Sequence, residues 1–289
     1  MTVFPGALVT QRLKRIASIR NKLMRGDVRD LSSMQDMGGC RAVVETVRDI
    51  HALYDLFSKR KCAIRSVRDY LQSPRSSGYR GKHLVVEYAG RNRHEHDGLR
   101  VEIQTRTKLQ HRWAAAVETL SFLAGCGDLK ANRGHSGWLA FLAVMGELYA
   151  IADGDGRIDG EVTVPEGMRQ KLREFEFQLE IQQTLMGFQM AVDFAHGRTG
   201  IQGLRKDIVC FVIAQFNNSV SVRPYWLEDL ERANSELIEA ERLGHNAVLV
   251  FADDLKALRC GYPSYFADIS MFRGNALTAA FGSSYKVAE

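Results

Sequence analysis

The sequence predicts an α+β fold, and three observations carry that reading. Short runs at 40–44, 64–71, 84–89 and 99–106 are apolar or alternate apolar with polar residues, the period-two signature of strands. Runs at 46–60 and 108–124 place Val47, Ile50, Leu53, Tyr54 and Phe57, then Leu109 and Trp113, at helical spacing. With 289 residues of which 45% are hydrophobic, the chain can bury one large or two small cores.

Composition excludes several classes. No run of about 20 apolar residues is present to span a bilayer, and the N-terminus lacks a signal peptide's apolar core. No membrane partner is expected. The five cysteines lie far apart and form no CxxC pair, so reduced thiols in a cytoplasmic protein are expected, not a disulfide frame or a zinc site. The net charge of +5 is a modest basic excess, compatible with phosphate-rich ligands. Its distribution is more informative: Arg12, Lys14, Arg15, Arg20, Lys22, Arg25 and Arg29 crowd the first thirty residues.

Residues 11–23 read as a short extended piece followed by a helix. Arg12 and Lys14 share a strand face, and Ser18 and Lys22 share a helix face at i,i+4. Together they form a candidate polyphosphate cradle, although a solvated basic helix face is the plainer explanation of that segment alone. Next, Asp36 stands just before Gly38-Gly39 and the strand-like run 40–44, where a carboxylate can hold a divalent cation with room for substrate phosphates. A turn aspartate followed by glycines is the competing reading. Arg41 lies inside that apolar run and needs a partner or a site to face.

Residues 73–83 form a loop marked by Pro74 and Gly78 that carries Arg75, Tyr79, Arg80, Lys82 and His83. Cations around one aromatic ring suit a nucleotide: the ring meets the base and the cations meet phosphates. The loop leads into a hairpin of 84–89 with 99–106, whose tip, His94 to Asp97, reads as solvated in preference to metal-binding. The second hairpin strand puts Glu102, Gln104 and Arg106 on one face, with Val101, Ile103 and Thr105 on the other. A carboxylate, an amide and a guanidinium in one row suit a site, although taken alone a solvated polar face is the plainer explanation.

Taken together, Arg12-x-Lys14, Ser18-Ile19 and Lys22, then Gln35-Asp36-x-x-Gly39-x-Arg41, then Arg68-Asp69-Tyr70 with Gly78-Tyr79-Arg80-x-x-His83, then Val101 to Thr107, resemble the synthetase domain of the RelA/SpoT family of alarmone synthetases. The resemblance covers residues 9 to about 125. It implies a nucleotidyltransferase-like mixed sheet flanked by helices, and transfer of pyrophosphate from ATP to the 3′-hydroxyl of GDP or GTP, giving (p)ppGpp. On the same resemblance, Arg12 would stack on adenine, and Lys14, Ser18 and Lys22 would meet the ATP phosphates. Asp36 and Glu102 would hold Mg2+, with Glu102 also taking the proton of the attacking hydroxyl. Tyr79 would stack on the acceptor base, Arg75 and His83 would meet phosphates, and Gln104 and Arg106 would line the face of Glu102.

The pattern departs from the family in places. Gly81 stands where the family usually has serine, and only eleven residues precede Arg12 where family members carry helices. The expectation is a synthetase-only chain lacking those helices and the family's hydrolase domain, with some apolar surface left uncovered. Three alternatives stay open: a toxin-type synthetase acting on the tRNA 3′ end, one acting on adenosine nucleotides, and a catalytically impaired nucleotide-binding module.

The glycine-containing connection 125–137 sets the expected division into a synthetase domain, 1–125, and a second part, 126–289. In the second part a helix is expected at 138–152 and a long one at 165–196, with Gly187 as its candidate break. Between them, Asp153 to Gly160 superficially resembles a calcium loop but lacks its later acidic positions. Strands at 208–215 and 219–223, a helix at 227–243, a strand at 247–251 and a helix at 253–259 complete a small β-β-α-β-α module. It carries no recognisable chemistry, so a regulatory partner or homo-oligomer contact is its default role.

Overall fold

The computed structural model describes residues 4, 6–13, 16–26, 28–31, 34, 36–59, 63–90, 96–123, 129, 132–154, 157–158, 161–186, 210–216, 219–251, 262, 269–282 and 285–286. Strands β1 (Leu8–Leu13), β2 (Gly38–Val44), β3 (Ala63–Asp69), β4 (Lys82–Glu87) and β5 (Arg100–Thr107) are interleaved with helices α1 (Ile16–Met24) and α2 (Val47–Lys59). Helices α3 (Lys108–Leu123), α4 (Ser136–Asp153) and α5 (Glu166–Leu179) follow, with two-residue strands β6 (Arg157–Ile158) and β7 (Glu161–Val162) between the last two. The rest comprises β8 (Cys210–Phe216), β9 (Ser219–Tyr225), α6 (Leu230–Arg242), β10 (Asn246–Phe251), α7 (Ser270–Phe281) and β11 (Tyr285–Lys286).

The fold is α+β, as expected, around one mixed sheet of eight strands in the order β3-β4-β5-β2-β1-β10-β8-β9. Only β2 and β5 run parallel; their crossover carries α2, β3 and β4. Every other neighbouring pair in that sheet is antiparallel. Strands β8, β9 and β10 continue the sheet from its N-terminal half through β1, where Gln11 opposes Phe251 and Arg12 opposes Val250. The phenol of Tyr262 also donates to the Gln11 carbonyl.

Local chemistry explains the helix starts that matter for the site. At α2, Thr46 and Asp49 cap one another: the Asp49 carboxylate accepts from the Thr46 N–H, and the Thr46 hydroxyl accepts from the Asp49 N–H. At α3 the same reciprocal pair forms between Thr107 and Gln110, so the helix begins directly where β5 ends. The Asp153 carboxylate, at the start of the calcium-like run, accepts from Thr107 and Gln110.

One apolar core joins α3, α4, α5 and α7. Leu109, Trp113 and Leu120 meet Phe141, Leu142 and Met145, with Leu172, Phe272 and Ala279, all buried. Burying such side chains contributes about 1.5–3 kcal/mol each. A second cluster packs Val212, Ala214, Ala247 and Leu249 of the sheet on Ala233, Leu237 and Ala240 of α6.

One expectation needs correction, and one element is new. The long helix at 165–196 ends at Leu179, because Glu180 takes the left-handed conformation (φ 46°) and breaks the helical ladder, not Gly187. A helix resumes at 181–186, its entry tied by the Glu176 carboxylate to the Gln182 N–H. Helix α7 was absent from the sequence reading altogether. Its buried face is mostly alanine (Ala276, Ala279, Ala280), a weak apolar stripe with no capping residue to announce it. The expected helix at 253–259 and the residues around Gly187 lie outside the described residues.

Candidate active site

The site is built on one face of the N-terminal half of the sheet. Residues opposite one another across strands share a face, so the pairs His83–Gln104, Gln104–Arg41 and Arg41–Thr10 align four side chains across β4, β5, β2 and β1. One step along, Glu102 lies beside Gly39, and Gly39 beside Arg12. Gly39 permits the approach: a Cβ there would meet the Glu102 carbonyl oxygen at 3.0 Å.

Asp36, just ahead of β2, and Glu102 line one pocket together with Thr10, Gly39, Cys40, Arg41 and Gln104. A cation shared by the two carboxylates requires that they line one pocket in this way. The Lys22 ammonium sits 2.8 Å from Asp36 Oδ2, so a positive charge already occupies one oxygen of this carboxylate. Lys22 was expected to meet ATP phosphates; here α1 delivers it to the candidate metal carboxylate.

Around Glu102 the side chains are half-buried and joined. Its Oε1 lies 3.0 Å from His83 Nδ1, and its Oε2 accepts from Gln104 Nε2 at 2.8 Å. His83 Nε2 lies 2.5 Å from the Tyr79 hydroxyl. Arg106 donates to that hydroxyl from Nη2 at 3.0 Å and to Gln104 Oε1 at 3.2 Å. Burial pushes the His83 imidazole below its ordinary pKa, with the positive charges of Arg106 and Arg75 adding to the effect, while Glu102 opposes it.

The loop before β4 is held from two sides. The Tyr79 ring packs edge-on against Tyr70, His83 and Trp113, and the Arg106 guanidinium lies 5.1 Å from its centre. Arg75 donates to the Tyr70 hydroxyl and stands over that ring at 4.8 Å. Gly81 has a φ of +145°, and a Cβ there would meet the Thr105 carbonyl at 3.1 Å, which accounts for glycine at this point.

Of the residues singled out from sequence, Asp36, Lys22, Tyr79, His83, Glu102, Gln104 and Arg106 are brought together, and Arg75 stands at the rim beside Tyr70. Arg12 belongs to β1 and Ser18 to α1, but their side chains, all of Lys14, and His94 and Glu95 of the hairpin tip lie outside the described residues. Thr10 and Cys40 escaped the sequence reading. Thr10 reaches the pocket through the β1–β2 pairing, which no local pattern announces.

Comparison with known proteins matches residues 11–121 to the family model described as a region found in RelA / SpoT proteins. That segment is similar to the RelA/SpoT region. Two curated relatives come from Bacillus subtilis (strain 168). GTP pyrophosphokinase YjbM is 34% identical over 121 residues, 41% of this chain and 57% of the relative. GTP pyrophosphokinase YwaC is 30% identical over 110 residues, 36% of this chain and 52% of the relative. The chain thus spans little more than half the length of these RelA/SpoT relatives. Among solved structures, the small alarmone synthetase 1 from Bacillus subtilis bound to its product pppGpp is 30% identical, with 50% of this chain and 73% of that one covered and a TM-score of 0.43. Among the described residues no helix is long and apolar enough to cross a membrane.

Proposed function

We propose that this chain transfers a pyrophosphoryl group from ATP to the 3′-hydroxyl of GDP or GTP. One observation carries the reading: Asp36, just ahead of β2, and Glu102 of β5 line a single pocket, with Lys22 beside the first and His83 and Gln104 beside the second. The similarity of residues 11–121 to the RelA/SpoT region and two relatives named GTP pyrophosphokinase support it.

The donor set fits magnesium. Two carboxylates offer hard oxygen ligands, and the remaining positions suit triphosphate oxygens and water. Among the described residues no cluster of three or more acidic, histidine or cysteine side chains forms a complete protein cage. Asp36 and Glu102 would hold the ion, and Lys22 would turn from Asp36 to the phosphates as it binds. A bound magnesium ion supplies charge neutralisation on the triphosphate.

The chain's own groups do the rest. Glu102 accepts the proton of the 3′-hydroxyl. The freed oxygen attacks the β-phosphorus, the bond to the α–β bridging oxygen breaks, and AMP leaves. Arg106 and Arg75 set positive charge along the acceptor side, and the Tyr79 loop receives the acceptor base. Such transfer is mostly positioning and electrostatic stabilisation, which a compact set of cations and one base provides.

The test is incubation with ATP labelled in its γ-phosphate, magnesium, and GDP, GTP, ATP or deacylated tRNA in turn, with the product identified by mass spectrometry. The label is expected on the guanosine nucleotide, with AMP formed in equal amount. Label on tRNA or on adenosine nucleotides replaces the acceptor, and nucleotide binding without any labelled product overturns the activity.

A further inference from the structure

Five side chains, Glu102 among them, close a ring of hydrogen bonds: Glu102 to His83, His83 to Tyr79, Tyr79 to Arg106, Arg106 to Gln104, and Gln104 back to Glu102. The direction of every proton in this ring follows from elementary donor rules. Arg106 has only donors to offer. It gives one N–H to Gln104 Oε1 and directs Nε and Nη2 at the Tyr79 hydroxyl, 3.3 and 3.0 Å away. With its oxygen accepting from Arg106, the single Tyr79 proton is left to point at His83 Nε2. That nitrogen therefore carries no proton, and Nδ1 carries it, facing Glu102 Oε1 at 3.0 Å. The opposite tautomer would set an imidazole lone pair against a carboxylate lone pair. The other arm agrees: Gln104 accepts from Arg106 and gives its amide proton to Glu102 Oε2 at 2.8 Å.

The geometry points to Tyr79 and His83 as positioning residues for Glu102: two one-way chains of protons start at Arg106 and end on the two oxygens of one carboxylate. This rests on the proposed reaction and deepens it. Both Glu102 oxygens are held by donors of this ring, so the rotation of the carboxyl group is fixed. Because Glu102 receives a proton donor from His83 and none of the ring's protons can move away from it in this arrangement, His83 orients Glu102 and does not relay its proton. The tyrosine on the acceptor loop is thereby tied to the base through one imidazole, so a displaced loop also releases the base. Networks of this kind act as a unit, and removing one member costs more than its own bond.

The test combines nitrogen-15 NMR of the His83 ring in the full chain with kinetics of three variants. In the wild type the ring is expected to hold its Nδ1 proton in a hydrogen bond to Glu102, and Tyr79→Phe, which keeps the aromatic ring, is expected to shift the Nε2 resonance as that nitrogen loses its donor. Tyr79→Phe should lower kcat by about tenfold or more, the scale of a lost hydrogen bond to a charged network, with acceptor KM within about twofold. His83→Asn keeps a donor near the Nδ1 position and should retain more kcat than His83→Ala. A proton on Nε2 in the wild type, or wild-type kcat in Tyr79→Phe, overturns the inference. Should the wild type transfer to no acceptor, the functional reading falls, and the His83 tautomer still decides whether the ring is ordered as described.

Discussion

Gly146 on α4 lies against Gly78 of the loop 73–83, backbone to backbone: a Cβ on Gly146 would fall 2.5 Å from the Gly78 carbonyl oxygen. A Cβ on Gly78, whose φ is +91°, would in turn meet the Leu142 carbonyl oxygen and Ala143 Cα at 3.0 Å. Trp113 Nε1 donates to that same Leu142 carbonyl at 2.7 Å. The loop carrying Arg75 and Tyr79 is therefore seated on a helix that begins well after the RelA/SpoT segment ends.

Gly146→Ala is expected to lower stability by about 1–3 kcal/mol and raise acceptor KM, because neither backbone can yield to the added methyl. Gly167→Ala, in α5 with open space around it, should instead stabilise by about 0.5–1 kcal/mol through helix propensity. Thermal unfolding of both variants checks the contrast; equal shifts would remove the close contact as the cause.

Glu102→Gln is expected to lower turnover by about 10²–10⁴-fold, the usual scale for a general base, and to leave ATP binding largely intact. Asp36→Asn should remove magnesium-dependent turnover while the chain stays folded, which circular dichroism and a magnesium titration of the rate will read out. A fully active Glu102→Gln enzyme would take that residue out of the mechanism.

Asp69 reports on acid stability. Burial raises its carboxyl, but the Lys82 ammonium at 3.0 Å and the N–H groups of Leu71 and Gln72 outweigh it and hold the pKa below its ordinary value of 3.8. A carboxylate depressed in the folded state contributes stability that is present above its unfolded pKa and lost as pH falls through its folded one. Asp69→Asn should therefore destabilise at neutral pH, where it strands the buried Lys82, and the gap from wild type should close as pH drops through about 4 toward 3. Melting curves across that range give the comparison.

Phe272→Ala should destabilise by about 3–5 kcal/mol, since this fully enclosed ring meets Phe141 and Tyr149 edge-on at about 6 Å. If α7 were an appendage and not part of the core shared by α3, α4 and α5, the loss would be far smaller. Urea unfolding with an unchanged slope would locate the effect in the native core.

The row Glu102, Gln104, Arg106 was legible from alternation alone, because a strand's period of two assigns faces without knowledge of its neighbours. The helix beginning at Lys108 was likewise legible from its spacing, while the Thr107–Gln110 capping pair at its start emerged only in the structure. Breaks and weak stripes were not legible. Glu180 adopts a left-handed conformation that its residue type does not demand, and α7 buries alanines that carry little apolar signal.

By itself, then, the chain's order of residues determined the α+β class, the elements of residues 38–123 and the chemical kit of the site, all of which depend on periodicities within a few residues. Tertiary structure alone decided that β10 lies beside β1, that Lys22 reaches Asp36, that Gly146 seats the Tyr79 loop, and that Glu102 sits at the end of two proton chains from Arg106. The physical reason is range: these contacts join residues far apart in the chain, and only the packed geometry of sheet and helices sets which of many compatible donors and acceptors meet.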